Sequence, residues 1–296
     1  MIKNIAVIGL GRMGGGIARN LAEDPRFSVT VFARTEETVA KCVALGAEGA
    51  ASAEEAVVGA DLVITSLPTP EVVLDVIGSA LGSSPEGSIW MDTSTIDPCT
   101  AQDLEALVQT SGRSFIACPL GKGPAQAEAG ELPLFVGGDK ALLQPMAPVF
   151  ECIGENAHYL GDPAAACMFK VASNMIGMTN LAVLAEGYTL CATAGVSDAA
   201  FEAALRDTGA WSYQAALRLP WMMQGDFENR FAIDLAVKDV RLAVDAAARR
   251  SVPAPVGAAG LMQLVSASVA GCGSEDVNAV LKVVDPAAIG QRPRGN

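Results

Sequence analysis

Residues 3–21 read Lys-Asn-Ile-Ala-Val-Ile-Gly-Leu-Gly-Arg-Met-Gly-Gly-Gly-Ile-Ala-Arg-Asn-Leu, and residues 29–35 read Val-Thr-Val-Phe-Ala-Arg-Thr. Ile5–Ile8 is a short apolar run of the kind that forms a buried strand, and Ile17 and Leu21 open the apolar stripe of a helix. Between them lies the turn Gly9, Leu10, Gly11, Arg12, Met13, Gly14. The first glycine permits a tight turn, the second lets a pyrophosphate approach the backbone, and the third lets helix and strand pack closely. A helix N-terminus offers that phosphate unpaired amides and the positive end of a dipole. Glycine spacing alone is a weak signal. Here it follows a strand, opens a helix and reaches a second strand, Ser28–Phe32, which together make a nucleotide-binding βαβ unit whose six turn residues are expected to bind the cofactor.

The second strand ends in Ala33-Arg34-Thr35. An acidic residue at this point accepts from the ribose 2′-hydroxyl of NAD, and would repel the 2′-phosphate of NADP. A guanidinium binds a phosphate through paired hydrogen bonds. Arg34 and Thr35 are therefore expected to select NADP(H), with NAD(H) still possible. The alternative is a solvated Arg at a strand end.

The 296 residues suffice for one large domain or two ordinary ones without disulfide support. Seven cysteines, odd in number and scattered, show no metal-ligand spacing. They are expected to be buried thiols of a reducing cytoplasm, with no metal site. A net charge of −13 speaks against nucleic acid or an anionic membrane as partner. It also means that an anionic substrate needs a local basic pocket. The first strand begins by residue 3, so no signal peptide is read. Cys167–Val196 is the most apolar stretch, but Lys170, Asn174, Asn180 and Glu186 interrupt it, and a buried helix is expected rather than a membrane span.

To about residue 160, β-rich runs alternate with helical patterns. Candidate strands are Ile5–Ile8, Ser28–Phe32, Glu48–Ala50, Leu62–Ser66, Ser88–Met91, Arg113–Ala117, Leu132–Val136 and Ala157–Leu160. Helical patterns occupy 36–45, 71–81, 101–110 and 140–150. This alternation predicts a doubly wound, largely parallel sheet of Rossmann type. From Ala164 to Ala194 the sequence supports one very long helix, apolar nearly all round, which must be sheathed by other helices of this chain or of a partner subunit. Helices near 198–206, 213–224, 233–250, 254–270 and 275–283 complete an all-α domain. The expected division is 1–161, 162–290 and a tail 291–296, frayed from about Ile289.

The single histidine, His158, lies in a candidate strand just before a turn and is expected to be structural rather than an acid/base. Lys170 and Asn174 are the better candidates. Four residues apart on a helix, they are offset by about 40° and point the same way. A lysine in an apolar helix is costly unless paired or functional. It could donate a proton to a carbonyl oxygen undergoing reduction, with Asn174 holding it or the substrate. The competing possibility is a lysine snorkelling from the first turns, with Asn174 on a wet face. Composition leaves the two even.

The chain resembles the β-hydroxyacid dehydrogenases from Met1 to about Val284. The motifs that carry the resemblance are Val7–Gly14, Asp92-Thr93-Ser94-Thr95, Pro119-Leu120-Gly121-Lys122-Gly123-Pro124, Lys170-Val171-Ala172-Ser173-Asn174 and Phe231–Asp239. The resemblance implies that Lys170 is the catalytic lysine and Asn174 its substrate-side partner. It puts Thr95, Leu67 and Pro68 near the nicotinamide end of the cofactor and has Lys238, oriented by Asp239, close the site from the helical domain. The alternative for Lys238-Asp239 is an exposed charge pair of little energetic weight.

One loop departs from the family pattern. Where the family usually reads Pro-Val-Ser-Gly-Gly, this chain has Pro119-Leu120-Gly121-Lys122-Gly123, closest to the Gly-Arg loop of the sulfolactaldehyde reductases. Gly121, Lys122 and Gly123 are expected to bind the substrate's anion, Lys122 as a compact charge. Otherwise Lys122 faces solvent and the loop amides act alone. Trp211, Tyr213 and Trp221 either shape the pocket, Trp211 first, or serve as core or subunit contacts. The reading is an NADP-preferring cytoplasmic oxidoreductase for a small anionic β-hydroxyacid and its semialdehyde or keto form, assembled as a homodimer or homotetramer. Its rivals are an imine reductase of the same fold and a non-catalytic dinucleotide-binding interaction module.

Overall fold

The structure is a computed structural model and describes residues 2–285. The expected tail from Ile289 lies outside the described residues. Eight strands form one sheet: β1 (Asn4–Ile8), β2 (Ser28–Phe32), β3 (Glu48–Gly49), β4 (Leu62–Thr65), β5 (Ile89–Asp92), β6 (Ser114–Ala117), β7 (Leu132–Gly138) and β8 (Gly154–Tyr159). Their order is β3-β2-β1-β4-β5-β6-β7-β8. All neighbours are parallel except β6 and β7. The reversal is local, because the segment between these two strands holds only the loop at 118–123 and the short helix Pro124–Ala129.

Strand side chains alternate between two cores, as a sheet covered on both faces requires. Ile5, Val7, Ile64, Met91 and Ile116 enter one core with Ile17 and Leu21 of the first helix. Ala6, Ile8, Val63, Trp90, Phe115 and Ala117 enter the other with Val73, Ile77 and Leu104. Each fully buried large aliphatic side chain contributes roughly 1.5–3 kcal/mol. Two of the helices that cover the sheet start where a side chain supplies an acceptor. Thr69 Oγ1 accepts from Val72 N ahead of Pro70–Ala80, and Asp97 accepts from Cys99 N and Thr100 N ahead of Pro98–Thr110.

Two short helices, Ala53–Ala56 and Pro124–Ala129, were not legible in the pattern, each being too brief to show a period. The expected helix 140–150 opens as a 3-10 turn, Lys140–Leu142, and continues as Leu143–Ile153. The last two expected helices also change form. Pro255–Ala267 gives way to the π turn Ser268–Cys272, where Gly271 takes φ +94°, and the segment after it is a 3-10 turn, Val277–Val280, followed by Leu281–Val284.

The long helix runs from Pro163 to Thr193. The chain divides into two compact units inside it, one ending at Lys170 and the other starting at Val171. Its first turns belong with the sheet, because Ala166 and Cys167 are buried in the second core. Met178, Leu181, Ala185 and Tyr188 pack with Leu219, Met222, Val240, Leu264 and Val280 in the helical unit. The expectation of a buried helix holds for one side only: Ile176, Val183 and Leu190 stand exposed at seven-residue spacing. By length and composition alone, this helix and Pro255–Cys272 could each cross a membrane.

The helical unit is tied by a buried ion pair. Arg218 Nε donates to Asp276 Oδ1 at 3.1 Å, and Asp276 Oδ2 accepts from the backbone of Arg230 (3.2 Å) and Phe231 (2.8 Å). Asp276 thereby fixes the chain just before helix Ile233–Arg249. Removing one partner of such a pair leaves the other charge buried, at a cost of about 3–5 kcal/mol.

The cysteines are unbridged, and Cys42, Cys118, Cys167 and Cys272 are buried, but Cys99 is exposed. Burial pushes the Cys118 and Cys167 thiols well up, and Cys152 up to about 11. A thiol whose pKa is raised stays protonated and unreactive at mildly alkaline pH. Alkylation of the native protein near pH 8, followed by peptide mass spectrometry, is expected to mark Cys99 first and to leave Cys118 and Cys167 unmodified until the protein unfolds. Early modification of Cys118 would show that its core opens locally.

Candidate active site

The turn after β1 is shaped by close backbone approach. Gly9 has φ +94°, and a Cβ there would lie 2.3 Å from the Ser66 carbonyl oxygen. A Cβ on Gly14 would lie 2.0 Å from the Gly9 carbonyl oxygen. No side chain fits either position, and the turn closes through Gly9 N donating to Phe32 O at 2.9 Å. Gly11 is different: a Cβ there would meet nothing within 4 Å. The backbone at Gly11 thus borders open space beside helix Gly14–Glu23, whose N-cap residue, Met13, makes no side-chain cap. An open cradle at an uncapped helix N-terminus fits a dinucleotide pyrophosphate. Leu10 is buried, Met13 is half-buried, and Arg12 is exposed. Arg34 and Thr35 are exposed just beyond β2, ahead of helix Glu36–Val43, and the nearest acids downstream are Glu36 and Glu37.

The next two strand ends are joined by buried polar groups. Asp92 Oδ1 accepts from Thr65 Oγ1 and from Ser94 Oγ, each at 2.7 Å. Ser94 Oγ accepts from Leu67 N at 2.9 Å. Leu67 and Thr95 are half-buried and Pro68 is exposed. Asp92 and Ser94 lie in a motif visible in the sequence, yet only Thr95 of that motif stood out. The available clue was an acid and hydroxyls clustered where a buried strand ends.

The loop 121–123 carries two departures with physical causes. A Cβ at Gly121 would press on Pro133 and Phe135 at 3.0–3.2 Å, so the serine usual in the family has little room here. Gly121 N donates to Pro133 O at 2.7 Å and Gly123 N to Gln126 Oε1 at 3.3 Å. Lys122 has φ +59°, the left-handed conformation that glycine adopts without strain. Its ammonium is paired within the chain: Nζ lies 3.1 Å from Glu155 Oε2 on β8 and 3.5 Å from the Glu131 carbonyl. Glu155 is 33 residues away and gave no sequence signal. His158, on the same strand, stacks against Phe135 at 6.1 Å between ring centroids.

Lys170 and Asn174 both lie on helix Pro163–Thr193, one turn apart and each half-buried. In the helical unit, Asn174 Nδ2 donates to Asp239 Oδ2 at 2.6 Å. Lys238 Nζ forms an ion pair with Asp239 Oδ1 at 2.8 Å. Asp239 is buried, so this is no exposed surface pair. The structure thus brings together Asn174, Asp239 and Lys238 from two helices. Trp211 carries the Arg206 guanidinium over its ring at 4.2 Å, and Trp221 carries that of Arg230 at 4.1 Å, while Tyr213 is exposed. Among the described residues no group of His, Cys, Asp and Glu could hold a metal ion.

Residues 4–161 match the family described as the NAD-binding domain of 6-phosphogluconate dehydrogenase. Residues 164–284 match the NAD-binding domain described for NADP-dependent 3-hydroxyisobutyrate dehydrogenase. The chain is 32% identical to the 3-sulfolactaldehyde reductase of Escherichia coli, over 95% of each protein. It is 31% identical to the NAD-dependent L-serine dehydrogenase of Pseudomonas aeruginosa, over 96% of this chain and 99% of that one. Among solved structures, 3-hydroxyisobutyrate dehydrogenase of Mycobacterium tuberculosis with L-serine superposes with a TM-score of 0.89 at 28% identity, covering 96% of this chain and 99% of that one.

The backbone at position 122 allows a stability test of the loop. Lys122→Gly relieves left-handed strain of about 1 kcal/mol. Against this stand an exposed ion pair worth about 0–1 kcal/mol and the added freedom of glycine when unfolded. The net is expected near zero, a Tm within about 3 °C of the parent by calorimetry. A much larger loss would mean that Lys122–Glu155 carries more of the loop than an exposed pair can.

Proposed function

The chain belongs to the β-hydroxyacid dehydrogenase family and is an NAD(P)-dependent hydroxyacid dehydrogenase/reductase, and on that footing we propose an NADP-preferring enzyme that interconverts a small anionic β-hydroxyacid and its semialdehyde or keto form. The carboxylate or sulfonate of the substrate is its anion. The observation that carries this reading is Lys170 one helical turn before Asn174, whose amide is oriented by the buried Asp239. A carboxylate can only accept, so Asn174 must present its NH2 to Asp239 and turn its carbonyl oxygen away.

When bound, the dinucleotide supplies or takes the hydride at C4 of its nicotinamide. Lys170 gives a proton to the carbonyl oxygen in reduction and removes it in oxidation. Asn174 holds that lysine or the substrate through its carbonyl oxygen. The turn Gly9–Gly14 binds pyrophosphate, Arg34 and Thr35 the 2′-phosphate, and Leu67, Pro68 and Thr95 the nicotinamide end. Lys238, held by Asp239, adds a cation toward the cofactor. Gly121, Lys122 and Gly123 take the substrate's anion, with Lys122 exchanging Glu155 for it, and Trp211 contacts the rest of the substrate.

The same reading makes the enzyme a cytoplasmic homodimer or homotetramer, joined through the helical unit. The exposed stripe of Ile176, Val183 and Leu190 supports this, as do Met262 and Val269, seven residues apart and exposed on the Pro255–Cys272 segment. Apolar side chains repeating every two turns are what a second helix covers.

Lys170→Ala is expected to lower kcat by about 10²–10⁴-fold with NADPH affinity unchanged; near-normal turnover would sink the assignment. Wild-type kcat/KM is expected to be much higher with NADPH than with NADH, and Arg34→Asp to erase the preference. A reversed ratio in the parent protein would refute the role of Arg34. An NADPH-oxidation screen over glyoxylate, succinic semialdehyde, tartronate semialdehyde, methylmalonate semialdehyde and sulfolactaldehyde identifies the substrate.

A further inference from the structure

Thr65 and Asp92 are register partners and the last residues of β4 and β5. In open α/β sheets, ligands bind beyond the carboxyl ends of the strands. A carboxylate buried there, among hydroxyls rather than apolar groups, is a costly choice if its only task is to fill a core. Thr65, Asp92, Thr93 and Ser94 are all buried. Thr93 donates to the Thr65 carbonyl through both its backbone N and its Oγ1, each at 2.8 Å, so the two strand ends are laced together before the loops diverge.

The carboxylate sets the polarity of the hydroxyls around it. Because Asp92 Oδ1 accepts, the hydroxyls of Thr65 and Ser94 both aim their protons at it. Ser94 Oγ then has lone pairs left for the amide of Leu67, and it receives that amide at 2.9 Å. Leu67 follows Ser66, whose backbone walls the glycine turn: Ser66 N donates to Ile8 O at 3.0 Å, and the Ser66 carbonyl oxygen lies 2.3 Å from where a Gly9 Cβ would be. One carboxylate therefore fixes, through one hydroxyl, the loop that leaves β4 beside the phosphate turn.

We propose that Asp92 and Ser94 are positioning residues for hydride transfer, holding the Leu67–Pro68 loop as a rigid seat for the nicotinamide end of the cofactor. This rests on the proposed placement of Leu67, Pro68 and Thr95 at that end. Misplacement of reacting atoms by a fraction of an ångström to an ångström is enough to slow chemistry by one to two orders of magnitude, roughly, without loss of binding.

The test compares Ser94→Ala with Ser94→Thr, which restores a hydroxyl. In the cofactor-free protein, hydrogen exchange read by NMR is expected to show the Leu67 amide losing about tenfold or more of its protection in Ser94→Ala and regaining it in Ser94→Thr. With NADPH and the best substrate of the screen, Ser94→Ala is expected to lose about tenfold in kcat, with the dissociation constant for NADPH within about twofold of the parent. The isotope effect from deuterium at C4 of the cofactor is expected to rise, because hydride transfer becomes limiting. Unchanged Leu67 protection overturns the proposal, as does lost protection with unchanged kcat and isotope effect. Should Ser94→Ala fail to fold, Ser94→Cys, with a weaker acceptor of similar size, is read by the same three measurements. Lys170→Ala separates the two levels: if that variant turns over normally, the assigned reaction fails, whereas a dead Lys170→Ala beside a normal Ser94→Ala overturns only the positioning role.

Discussion

Backbone against backbone at the end of β1 is the constraint from which the nucleotide-binding unit is built. The first helix can start directly above the strand because Gly14 sits against the Gly9 carbonyl, and β4 can lie beside both because Gly9 leaves room for Ser66. With the helix brought so near, Ile17 and Leu21 reach the core that Ile5 and Val7 line from below. The same approach leaves the helix N-terminus uncapped and Gly11 facing open space. Packing and the proposed phosphate cradle thus come from one arrangement of atoms, and a single methyl group at either glycine would disturb both.

The helical unit depends on a different kind of constraint, a buried charge that must be satisfied. Asp276 gathers Arg218 and the backbone at 230–231, and this fixes where helix Ile233–Arg249 begins. Lys238 and Asp239 follow within two turns, and Asp239 reaches Asn174 on the long helix. The polar groups of this unit form a chain of dependencies rather than isolated pairs, in which the helix carrying Lys238 is aimed by residues remote from it in sequence.

Much of the fold was legible because its signals are local and repeated. Strands β1 and β2 and the long helix announce themselves through apolar runs and periodicity, and the glycine turn through steric need. The helices of four and six residues were not legible, since a period cannot be seen in one turn. The site divides in the same way. Lys170 and Asn174 stood out because polar residues in an apolar helix are conspicuous. The direction taken by Lys122 was invisible, because it depends on the positive φ at that residue and on Glu155, which lies on a strand two elements away by pairing rather than by sequence. Ser94 was hidden for another reason: its importance lies in what it accepts from Leu67, and a serine looks alike in sequence whether its lone pairs are used or not.

The left-handed backbone at Lys122 also bears on how this loop can change over time. A residue there meets a conformational filter before any ligand is consulted. Glycine passes freely, asparagine and aspartate pass easily, and β-branched side chains are nearly barred. Gly121 beside it is crowded by Pro133 and Phe135, which would have to shift by a few tenths of an ångström to admit a larger residue. The mutational routes to a new charge at this position are therefore few, and they are set by torsion and packing. Sequence change along this loop, and with it any change in the anion proposed to bind here, has to pass through that narrow gate.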